Sequence, residues 1–105
     1  MAGYFTVDIG PDKAAAPSAP GTRGSVNKML TVASVNQYKG NVRIDFTLSG
    51  GITGGSVEPP YTYAFLDEDE VMSGEVTVNG TGSGTITAVG YDGEDTDTDD
   101  SPVSL

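Results

Sequence analysis

Apolar residues in this chain recur at every second position, and no window repeats them at the spacing of a long helix. Val42, Ile44, Phe46 and Leu48 alternate with Arg43, Asp45 and Thr47. Phe5, Val7 and Ile9 alternate with Thr6 and Asp8, Tyr61, Tyr63 and Phe65 with Thr62 and Ala64, and Val76 and Val78 with Glu75 and Thr77. A period of two sends alternate side chains to opposite faces of a strand. Lys28 to Val35 and Gly84 to Tyr91 read as two further strands, the second with a parity change at Ala88-Val89 that a bulge or a strand buried on both sides would explain. Val103 and Leu105 mark a last short strand. The one helix-friendly patch, Asp12 to Ala16, is bracketed by Pro11 and Pro17, which limits it to a single turn.

The segments between are turn-like. Gln37 to Asn41 links two strands. Ser49 to Ser56, with four glycines, reads as a long loop. Asn79 to Gly84 reads as a hairpin connection, because Asn-Gly favours positive φ angles. Residues 10–24 hold three prolines and predict an extended connector. The expected organisation is an N-terminal arm at 1–24 and a β domain at 25–105. Tyr4, Phe5, Val7, Ile9 and Arg23 are then the expected partner-binding residues, with Tyr4 and Phe5 as anchors in a neighbouring subunit. The alternative is that Phe5, Val7 and Ile9 add an edge strand to their own sheet.

Composition removes several classes of function. The 105 residues contain no cysteine, histidine or tryptophan, so there is no disulfide, no thiolate metal site and no imidazole base. All five cations and three acids fall in residues 1–50, and the other twelve acids fall in residues 51–105. Nucleic acid and anionic membrane surfaces both require clustered Lys and Arg, so neither is expected as a partner. A basic partner surface is compatible, as is a high-salt habitat. The start of the chain lacks the basic and apolar regions of a secretory signal.

Two acidic runs are the candidate cation sites. Six carboxylates lie between Asp92 and Asp100, and Asp95, Asp97 and Asp99 have the spacing that opens a calcium loop, although Asp100 stands where such a loop has glycine. Asp67-Glu-Asp-Glu70 is the second run. A mobile, self-repelling solvated loop is the competing reading for both. No cofactor is expected otherwise. Gly80, Gly82 and Gly84 lack the spacing and the following helix of a phosphate loop. Serine and threonine have no histidine to activate them, and acids on small glycine-rich turns lack the cleft that raises a carboxyl pKa. No enzyme activity is expected. Tyr61, Tyr63, Phe65 and Tyr91 are expected in the core, with a sugar-binding platform as the alternative.

From Asn41 onward the strands resemble immunoglobulin-like modules of the PKD and bacterial Ig-like kind. Val42 to Gly51 is similar to their second strand and turn, Pro60 to Asp69 to their third strand running into an acidic turn, and Gly84 to Gly93 with Ser101 to Leu105 to their final hairpin. Tyr63 stands where these modules usually carry tryptophan. The resemblance implies an all-β fold, a single antiparallel immunoglobulin-like β-sandwich of about seven strands, here with an extended arm. It also implies adhesion, spacing or surface decoration. The first expectation is a virion structural protein, a capsid decoration or minor capsid component. Its partners would be capsid or other virion proteins and further copies of itself in an oligomer or lattice. A cell-surface or extracellular adhesion module binding sugar or protein, with or without calcium, is the alternative.

Overall fold

The computed structural model describes residues 3–12 and 24–105. Among the described residues there are six strands and no helix: β1 (Tyr4–Asp12), β2 (Ser25–Val35), β3 (Gly40–Glu58), β4 (Tyr61–Leu66), β5 (Val71–Tyr91) and β6 (Thr96–Ser104). They form one antiparallel sheet in the order β1-β2-β5-β3-β4, with β6 also paired to β5.

The count is six rather than about seven because Asn79 to Gly84, expected as a hairpin connection, is strand and joins two expected strands into one; Ser49 to Ser56, expected as a loop, is strand as well. Ser49 to Ser56 continues β3, Asn79 to Gly84 continues β5, and the two run alongside each other through Ser49↔Thr85, Gly50↔Gly84 and Ile52↔Gly82. Glycine serves close backbone approach here. A Cβ on Gly50, whose φ is +89°, would lie 2.9 Å from the Gly84 Cα. A register shift between Thr53 and Ser56 adds a bulge on β3.

Strand β5 changes partner partway along. Residues Val71 to Asn79 pair with β2, and Ser83 to Tyr91 pair with β6. Gly80 N–H donates to the Gly24 carbonyl at 3.0 Å, and Leu105 N–H donates to the Gly82 carbonyl at 2.9 Å, on either side of the switch. Gly80 and Gly82 have φ of +137° and +97°, conformations that glycine adopts without a steric penalty. The sheet folds back on itself, so side chains of β1 and β2 share one core with those of β3, β5 and β6. Val42, Ile44, Val78, Ile86 and Leu105 are fully buried in it. The pairing of β5 with β6 runs unbroken from Ser83↔Ser104 to Tyr91↔Thr96. The bulge expected at Ala88-Val89 is therefore absent: Ala88 faces the core, and Val89 takes the other face of a regular strand.

The division at residue 24 also needs correction. β1 pairs with β2 from Tyr4↔Val35 to Ile9↔Leu30, and Phe5, Val7 and Ile9 are at most 4% exposed. These three side chains fill their own domain's core: a Cβ on Gly90 would meet Val7, Phe5 and Val42. Residues 13–23, with Arg23 and most of the helix-friendly patch, lie outside the described residues.

Candidate functional site

Strand β4 is the last strand in the sheet order, and its register on β3 decides which of its faces is outside. Tyr63 lies opposite Arg43, and Tyr61 lies opposite Asp45. Directly opposed residues in an antiparallel pair share a face. Burying Arg43 and Asp45 without compensation costs far more than exposing tyrosine rings, so the charged pair takes the rings outward with it. Ala64 and Leu66 turn inward instead. Tyr61 and Tyr63 are each 46% exposed, Phe65 62% and Tyr91 50%. The expectation that these four rings are core is overturned.

The rings and charges form one connected surface. Arg43 sits between Tyr63 on β4 and Tyr91 on β5 in register. Its guanidinium lies 4.3 Å from the centre of the Tyr61 ring and 5.9 Å from that of Tyr63, within cation–π range. Asp45 holds the guanidinium at 3.1 Å, and this hydrogen bond is the main reason the Arg43 pKa is raised. Tyr61 and Tyr63 meet edge to face at 6.0 Å, whereas Tyr63 and Phe65 are nearly parallel at 6.3 Å. The perpendicular step at Tyr61, and the guanidinium over its face, prevent a continuous flat platform of the kind that stacks on sugar rings. An aromatic and arginine cluster is, however, the composition of protein-binding hot spots.

The expected metal residues do not converge. The Asp97 carboxylate accepts the Val7 N–H at 2.7 Å, and the Asp99 carboxylate accepts the Ile9 N–H at 2.8 Å. Asp95 lies in the turn before β6, where its N–H donates to Asp92 at 2.7 Å. Among the described residues no three acids are placed to hold a cation. The calcium expectation for Asp95, Asp97 and Asp99 is corrected: alternate residues of β6 point the same way, and that way lies the outer edge of β1. Farther along this seam the buried Lys28 donates to the Ser101 hydroxyl at 3.1 Å and to the Pro102 carbonyl.

Both acidic runs meet the turn between β2 and β3. Asp69 accepts the Gln37 N–H at 3.4 Å, and Asp92 accepts the Tyr38 hydroxyl at 2.7 Å. Backbone donors, first that of Asp95, hold the Asp92 carboxyl below the ordinary carboxylate range. Burial, reinforced by the bond to Asp92, pushes the Tyr38 phenol up. Tyr38 also packs on Phe5 with ring centres 5.6 Å apart. Of the expected partner residues that the structure describes, Phe5, Val7 and Ile9 are buried and Tyr4, 44% exposed, is on the surface.

Fold and surface together define a small antiparallel β module with one aromatic face. No family model matches the chain, and no curated protein does. Among solved structures, the crystal structure of a FixG-related protein from Vibrio parahaemolyticus is similar at a TM-score of 0.53 and 14% identity, over 97% of this chain and 94% of that one. At that identity the likeness speaks for the fold.

Proposed function

We propose that this chain is a non-enzymatic recognition module, an immunoglobulin-like β-sandwich that binds a protein partner through the outer face of β4, β3 and the C-terminal half of β5. One observation carries the reading: of the six large hydrophobic side chains exposed among the described residues, Tyr61, Tyr63, Phe65 and Tyr91 stand together around Arg43. The sandwich reading is supported by the return of β1 alongside β6 and β5, and by the single core that these strands share with β2 and β3. The expectation of a shell-gripping arm loses Phe5, Val7 and Ile9, whereas the aromatic face would serve a virion lattice or a cell surface equally well. A photo-crosslinking residue in place of Phe65, introduced in the source cells or particles, tests the proposal. Adducts to a protein should form there and not from the same residue placed at Asn27 on exposed β2. A capsid protein in the adduct selects the virion reading, and a cell-envelope protein selects adhesion. Equal labelling at both positions, or none at Phe65, would remove the proposal.

A further inference from the structure

The two sides of this fold treat their strand edges in opposite ways. On one side the outer edge of β1 is closed by carboxylates: Asp97 and Asp99 accept the Val7 and Ile9 N–H groups. On the other side β4 pairs with β3 alone among the described residues. Phe46 N–H donates to the Pro60 carbonyl at 3.1 Å, and this sets the phase of the ladder. Ile44↔Thr62, Val42↔Ala64 and Gly40↔Leu66 are then the hydrogen-bonded pairs. The backbone groups of Tyr61, Tyr63 and Phe65 point away from β3. Natural sheets blunt such edges with charge, proline or a bulge. Tyr61 to Leu66 carries none of these, in a chain with twenty charged residues. Beneath this edge lies a cavity of about 80 Å³ whose lining mixes apolar side chains, among them Leu30, Ile44 and Met72, with the polar Thr62, Ser73 and Glu75.

We infer that β4 takes an extended segment of the partner as an added strand. This rests on the proposed recognition face and specifies how that face is used. The donated strand bonds to the outward N–H and C=O groups of Tyr61, Tyr63 and Phe65. Its inward side chains cover the cavity, with apolar groups against Leu30, Ile44 and Met72, and its outward side chains lie against the rings. Charge selects the occupant. Asp67 to Glu70 follow directly on β4. Lys39 and Arg43, the cations nearby, are already paired to Asp67 and Asp45. A second copy of this chain would bring the same acids, so the fitting occupant is a segment with apolar residues at alternate positions and Lys or Arg between or beside them.

The test is selection of binders from a displayed library of random ten-residue peptides, followed by amide hydrogen exchange of the protein with a selected peptide bound. The expected binders are basic and alternating, and they slow exchange at the Tyr61, Tyr63 and Phe65 amides about tenfold or more. Tyr63→Pro, which removes an outward N–H and leaves the β3 ladder intact, should weaken binding at least about tenfold beyond Tyr63→Ala. Thermal melts of both variants confirm folding. Binders that need the rings but leave the three amides unprotected would overturn strand addition and leave the recognition face standing. Failure to select any binder, or selection of acidic binders, would overturn strand addition while the crosslinking at Phe65 still decides the face.

Discussion

At the scale of single residues, acids in this chain do structural work at backbone donors. Asp97 and Asp99 satisfy amides of β1 that no strand pairs with. Replacing either with alanine strands a partly buried N–H, at a cost of about 1–3 kcal/mol. Asparagine keeps an acceptor and should lose less, and urea unfolding measures both. Asp92 is held below its ordinary pKa, chiefly by the Asp95 N–H. A depressed folded-state pKa gives stability that is present above the ordinary carboxylate value and lost as pH falls through the lowered one. Asp92→Asn should therefore flatten the acid limb of a stability profile below about pH 4. Phe65→Ser, at an exposed ring, should change stability by no more than about 0.5 kcal/mol, while Ile44→Ala should cost about 2–5 kcal/mol.

At the scale of elements, the two long strands depend on glycine where they cross. Gly82 combines a φ of +97° with the Gly51 carbonyl where a Cβ would go. Gly82→Ala should lower stability by about 1–3 kcal/mol or more, seen as a lower melting temperature. These same glycines misled the loop reading, since composition alone does not separate a flexible turn from two backbones in close contact. β1 was legible as a strand from Phe5, Val7 and Ile9, but its place was not, because residues 10–24 suggested separation from the domain. Since β1 supplies core side chains, removing residues 1–12 should abolish cooperative unfolding of the remainder, measured by circular dichroism during heating. A well-folded remainder would restore the arm reading.

At the scale of the whole molecule, twelve acids and no cation in residues 51–105 give this half of the sequence a strong field of one sign. Self-repulsion of this kind destabilises the compact state and is screened by salt. The melting temperature should rise as sodium chloride is raised from about 0.01 M to about 1 M, across which the screening length falls from about 30 Å to about 3 Å. A flat or falling response would mean that the acids are neutralised by local partners. Alternation by itself determined that the chain is all-β, and composition restricted the chemistry available to it. Tertiary structure alone decided which way each strand faces. Tyr61, Tyr63 and Phe65 share a face on any reading, but only their register against Arg43 and Asp45 puts that face in water. Asp97 and Asp99 likewise share a face, and only the return of β1 gives their carboxylates amides to hold. The physical reason is the same in both cases. A period of two divides side chains into two sets, and long-range pairing with distant strands chooses which set is buried.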